Sequence, residues 1–345
     1  MGEVYCANEI KKGFSPASEV TLIMKKTLAC LLAALLAALL LVSCSRESTT
    51  TESGTTSAAD ASAGAKLEKS SVEVVLNGDS VTCSSKSVSY TDGKVLINST
   101  GTYTISGTLN DAGIEVNCVN AGETHLVLKG VNITHSDGPC IDFVKSQGGA
   151  FITVYEGTEN TLTDGEDYTF ANPEDTEPDS AVFSKENLVI NGTGTLTVNG
   201  NYSCGIVSKD GLTIDNGTLI VNAVRHGIKG KDNLIIKGGD ITVNAERDGI
   251  KSTNEKTELV GFVQISGGKL TINSADEAIQ ALSRVTFEGG EVAIRSTNNG
   301  IRCDGPIEFT GGTVTIDADD NALNGLEIVK NDACTVTISG NPYNG

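Results

Sequence analysis

The chain has 345 residues, with 44 acidic against 25 basic side chains and a formal net charge of −19. A surface of that sign repels nucleic acid and anionic lipid, which argues against both as partners and leaves cation binding or plain solubility. Aromatic residues make up only 4% and Trp is absent, so recognition here has to rest on charge and amides rather than on indole rings.

In chain order, residues 1–23 fit no targeting pattern, which places the natural start at Met24. Met24-Lys25-Lys26 precedes an apolar run over 28–42, too short for a membrane span and suited to an export signal. The run ends in Leu41-Val42-Ser43-Cys44, which resembles a bacterial lipobox. Cys44 is then the lipidated first residue of an extracytoplasmic protein that touches the membrane only through its lipid. A tether rich in Ser, Thr and Ala follows over 44–66.

Residues 67–345 are expected to form the folded domain, with an irregular cap and first coils over 67–170 and regular coils over 180–345. Val95-Leu96-Ile97, Ile114-Glu115-Val116, Ile141-Asp142-Phe143 and Phe151-Ile152-Thr153-Val154-Tyr155 read as strands of the irregular part. The segment 164–179 holds two prolines and seven acidic residues, and is expected to project from the wall as a loop.

From there the chain repeats itself. Gly205-Ile206, Gly227-Ile228, Gly249-Ile250, Ala278-Ile279, Gly300-Ile301 and Ala322-Leu323 follow one another at intervals of 22, 22, 29, 22 and 22 residues. The long interval holds an insertion over 254–261. Ten residues before each of the last five small residues stands a turn glycine: Gly217, Gly239, Gly268, Gly290 and Gly312. Each unit contains three short period-two pieces bounded by Gly, Asn or Asp, with no helical stretch long enough to cross between strands. That pattern predicts an all-β, right-handed parallel β-helix, a solenoid with coils of about 22 residues. Leu234, Ile236, Ile241, Val243 and Ile250 point inward, as do Leu212, Ile214, Leu219, Val221 and Ile228 one coil earlier. Asn199, Asn222, Asn244 and Asn273 share a corner and suggest an amide ladder.

Six cysteines, Cys83, Cys118, Cys140, Cys204, Cys303 and Cys334, match no metal-binding spacing. Disulfides and buried free thiols both remain open.

Two further corners carry chemistry. Glu186, Asp210, Asp232 and Asn254 each follow the small residue of their own coil by five positions. Stacking two such carboxylates costs on the order of 3 kcal/mol at an effective dielectric of 20, so the corner is either wet or holds a cation. Solvated Asx-turns account for the same residues. The other corner directly precedes the small residue and brings Asp248, Asp276 and Glu277 onto neighbouring coils. Three carboxylates converging there suit Ca2+, a hard ion that takes oxygen donors. Lys229, Lys251, Gln280, Arg302 and Asn324 then point outward, one per coil, with Arg247 beside them. A solvated sheet face explains such a row as well as an anion-binding one does.

Four blocks resemble the signature segments of a bacterial family of cell-surface, carbohydrate-binding β-helix proteins, distantly similar in shape to pectate lyases. They are Gly101-Thr102-Tyr103-Thr104-Ile105-Ser106-Gly107, Glu156-Gly157-Thr158-Glu159-Asn160-Thr161-Leu162-Thr163-Asp164, Ala181-Val182-Phe183-Ser184-Lys185-Glu186-Asn187-Leu188 and Gly249-Ile250-Lys251-Ser252. The resemblance covers nearly all of 71–325 and implies bound calcium and affinity for plant cell-wall polysaccharide. Acidic, pectin-like sugars are the expected partner, with cellulose as a second polymer. On that reading Glu186, Asp210, Asp232, Asp248, Asp276 and Glu277 hold calcium, while Lys229, Arg247, Lys251, Gln280 and Arg302 face the polysaccharide. Membership does not bring catalysis with it. A calcium-dependent polysaccharide lyase with Arg247, Arg302 or Lys251 as base, or a structural and adhesive surface protein, are the alternatives.

Overall fold

The computed structural model describes residues 71–257 and 259–343, so the expected export signal, with Cys44, lies outside the described residues. Within them the chain is all-β: 28 strands joined by mostly parallel pairing, with no helix. The period of the sequence becomes the period of the sheet. Ile228–Gly230, Asn233–Ile236 and Asp240–Ala245 make one unit, and each pairs in parallel with its counterpart in the next, Ile250–Ser252, Phe262–Ile265 and Lys269–Ser274. From Ser180–Ser184 to Glu291–Ser296 each strand thus stacks on the one three elements before it, and the longer strands Ile301–Phe309 and Gly312–Lys330 each take the place of more than one such element. The inserted residues leave the stack between Ser252 and Phe262 and do not disturb its register, for Ile236 still faces Ile265.

Stacking works because each unit carries the same apolar columns. Leu234, Ile236, Ile241, Val243 and Ile250 are all fully buried, and each pairs with an apolar residue of the following unit. Full burial of one aliphatic side chain contributes about 1.5–3 kcal/mol, but an isolated unit leaves both of its open faces wet. Two glycine columns permit the close approach. Gly239 has φ of +97°, a left-handed turn that other residues reach only under strain. At Gly249 an added Cβ would lie 2.3 Å from Ile272 Cγ2 and 2.7 Å from the Ala278 carbonyl oxygen, so this position is held to Gly.

The corner asparagines form the expected ladder. Asn222 donates to Asn199, Asn244 to Asn222 and Asn273 to Asn244, each at 2.9 Å. Asn244→Ala removes two of these bonds from a half-buried corner and should cost about 1–2 kcal/mol. Chemical denaturation reads this directly, and an unchanged midpoint would mean that water replaces the ladder without loss.

At the N-terminal end the pairing turns partly antiparallel. Val72–Gly78 pairs with Val81–Cys83, and Val88–Thr91 with Lys94–Ile97 across a turn at Asp92 and Gly93, both with positive φ. Val72–Gly78 then joins the parallel stack on Gly101–Leu109. The six cysteines of the described residues are free thiols, five of them buried, so of the two readings it is the packed thiol that the fold contains.

One expectation is refined. The acidic segment 164–179 is a loop outside the wall, as expected, with 171–177 exposed, but it does not stand free: parts of it dock back against the wall. Tyr168 donates its hydroxyl to Asp164 (2.7 Å) and lies 3.2 Å from the Ser180 carbonyl oxygen. Its ring stacks on Tyr202 with centroids 4.1 Å apart, Phe170 meets Tyr202 edge-on, and Glu177 pairs with Lys209. At this level the outward positions are apolar: Phe183 and Val207 form a small buried cluster with Cys204, on the opposite side of their strands from the core residues Val182 and Ile206.

Candidate functional site

The corner before each small residue contains an inner column of buried side chains: Ser180, Cys204, His226, Asp248, Glu277, Asn299 and Asn321. Parallel backbone bonds fix its register, from Gly227 N to Asp248 O (3.0 Å), Gly249 N to Glu277 O (2.9 Å) and Ala278 N to Asn299 O (3.1 Å). Asp248 and Glu277 therefore sit one above the other, with Asp276 beside Glu277. One carboxylate oxygen from each of the three lies within 4.8 Å of the others, the one such group of metal-ligating side chains among the described residues.

The three carboxylates have different surroundings. Lys251 Nζ reaches Asp248 Oδ2 at 2.6 Å, and His226 Nδ1 lies 3.1 Å from the same oxygen, close but not aligned as a hydrogen bond. Burial alone would raise the Asp248 carboxyl, but the contacts with His226 and Lys251 prevail and hold it well below the usual carboxylate range. Burial lowers His226, against the pull of Asp248, and favours the neutral imidazole. Glu277 moves the other way: burial, then the neighbouring Asp276 and Asp248, push its carboxyl up. Arg302 and Asn299 both stand 3.4 Å from Glu277 Oε1. Asn298 donates to Asp276 at 2.7 Å, and Arg247 lies 3.9 Å from that side chain.

Two features of this corner bear on its chemistry. The Glu277 carboxyl is pushed up by burial first and then by Asp276 and Asp248. Gln280 Oε1 is buried with no hydrogen-bond donor, and Gln280 stands in register between Lys251 and Arg302, the residues that reach Asp248 and Glu277. Three converging carboxylates offer oxygen donors of the kind hard ions take.

The outward row is a single ladder, with Lys229, Lys251, Gln280, Arg302 and Asn324 in register on successive units. Arg247 lies outside it, in the corner and mostly exposed. The other acidic corner is more dispersed. Burial raises the Asp210 carboxyl and both Asp232 and Glu186 add to it, so the three share one field. Asn254 donates to Asp232, while Ser146 N donates to Glu186 at 3.3 Å. Among the described residues Glu186, Asp210 and Asp232 form no convergent group of ligand atoms.

The ladder also runs further than the repeat suggests. Lys229 follows Val207, Phe183, Asp142 and Glu115, so two carboxylates stand on the same face beyond the apolar pair. A polar residue at the centre of Ile114-Glu115-Val116 and Ile141-Asp142-Phe143 is the signal that could have located them.

A stack of mostly parallel strands with acid-lined corners is a polysaccharide-lyase-like architecture. A solved structure described as the polysaccharide lyase-like protein from C. thermocellum, in a gadolinium derivative, matches with a TM-score of 0.68 and 33% identity, over 70% of this chain and 97% of that one. Residues 91–340 match the family model of carbohydrate-binding domain-containing proteins, and the chain belongs to that family. A relative of the same description from Acetivibrio thermocellus is 37% identical over 152 residues, which is 44% of this chain and 53% of the relative. The match thus spans about half the length of that curated relative.

Proposed function

We propose that this protein is a right-handed parallel β-helix that binds acidic, pectin-like polysaccharide through calcium, without cleaving it. The observation that carries the reading is the convergence of Asp248, Asp276 and Glu277 beside the ladder of Lys229, Lys251, Gln280 and Arg302. Calcium would be held by those three carboxylates with Gln280, and when bound it supplies positive charge for a uronate carboxylate. Lys229, Arg247 and Arg302 offer further charge and hydrogen bonds along the chain of sugars. Gadolinium, named for the solved relative, is like calcium a hard cation that favours oxygen donors. Export and a lipid on Cys44 would hold the domain at the cell surface.

A non-catalytic role is favoured because the candidate bases are engaged. Lys251 is tied to Asp248 and Arg302 to Glu277, and arginine does not give up its proton in proteins. Retention on insoluble polygalacturonate should be lost when a chelator is added, and should weaken about tenfold, or roughly 1.4 kcal/mol, in Glu277→Gln. Equal retention with and without chelator refutes calcium mediation. Appearance of unsaturated, ultraviolet-absorbing products would instead establish a lyase.

A further inference from the structure

A cavity of 190 Å³ opens on the outer face, away from the cation corner. One wall is the docked segment, through Tyr168, Phe170 and Pro178; the other is the far end of the ladder, through Glu115 and Asp142 with Lys94. The two walls differ in kind. The segment offers aromatic and aliphatic faces, while the ladder offers carboxyl groups and an ammonium, with Lys94 Nζ 3.0 Å from Glu115. Asp142 Oδ1 is buried and has no hydrogen-bond partner. An unsatisfied buried acceptor costs about 1–3 kcal/mol, which a ligand hydroxyl would offset.

The geometry points to a second carbohydrate subsite, independent of calcium, in which a single neutral pyranose lays its apolar face against Phe170 and Pro178 and its hydroxyls against Asp142 and Glu115. The proposal rests on the family's carbohydrate reading but on none of the residues of the cation corner. The cavity is smaller than the roughly 300 Å³ at which pockets for larger ligands begin, so it takes one ring and not a length of chain. Charge disfavours a uronate, because the lining sets Glu115, Asp137 and Asp142 against one ammonium, Lys94, with Lys185 acting on Asp142 as well. Burial, then Glu115, pushes the Asp142 carboxyl up to about 7, which leaves a proton to donate near neutrality. The scarcity of aromatic residues is thereby overcome locally, since the loop gathers Tyr168, Phe170 and Tyr202 in one place.

The test is saturation-transfer NMR on the purified protein with galactose, glucose and galacturonic acid, all in the presence of chelator. Galactose or glucose should receive saturation and galacturonic acid should not, with affinity about tenfold weaker in Phe170→Ala and in the isosteric Asp142→Asn. No transfer to either neutral sugar, or transfer unchanged in both variants, overturns the subsite. If wild-type protein is still retained on polygalacturonate with calcium, only the subsite fails; if that retention is also absent, the carbohydrate reading fails with it.

Discussion

Asp248→Ala should destabilise the protein by about 3–5 kcal/mol at neutral pH, even with chelator present so that no metal is at stake. Asp248 is 3% exposed at its side chain and accepts Lys251, itself 19% exposed, with His226 on the same oxygen. Truncation leaves a largely buried ammonium without its counter-charge and an imidazole nitrogen facing a void. The folded carboxyl is held below its usual range, so its contribution is present above the unfolded value near 3.9 and is lost as pH falls. The gap between wild type and variant in denaturant unfolding should therefore be wide at pH 7 and narrow toward pH 3. A variant as stable as wild type at pH 7 would refute the buried network.

Asp142→Asn should act in the opposite sense, with no effect near pH 4 and a stabilisation approaching about 4 kcal/mol above pH 7. The Asp142 carboxyl is raised from 3.8 to about 7, by burial first and then by Glu115, with Lys185 and Lys94 opposing. Between those values the folded chain keeps a proton that the unfolded chain releases. Stability is thus full below about pH 4 and falls as pH rises through 7. The amide keeps the shape and has no charge to bury, so it escapes the loss. Thermal or denaturant unfolding of both proteins across pH 4–8 gives the difference directly, and a pH-independent difference would sink the argument.

Much of the stack is legible in the sequence because its geometry is periodic. A column of side chains recurs whenever the coil closes, so Leu234 predicts Val263 and Lys229 predicts Lys251 without knowledge of any distance. The same logic brings Asp248, Asp276 and Glu277 together. What escapes is everything aperiodic. The stacking of Tyr168 on Tyr202 joins residues 34 positions apart with no repeat to announce it, and the acidic composition of the segment suggests the opposite. The ion pairs of Lys251 and Arg302 depend on how long side chains bend back toward their own corner, which register alone does not determine. The Asp92-Gly93 turn is different: Asp-Gly between alternating strands is a readable hairpin signal, and the antiparallel start of the stack follows from it.

The outward ladder also behaves as a ruler. Its rungs are spaced by the separation of hydrogen-bonded strands, about 4.8 Å, and every rung is backed by a separate buried column on the opposite side of its strand. On the proposed reading, a polymer lying along the stack would meet one contact per coil, and its avidity would grow with the number of rungs it spans rather than with the strength of any one. The marks are not equal, for Lys251 and Arg302 are tied back to Asp248 and Glu277, so exchanging either one also disturbs the buried corner behind it.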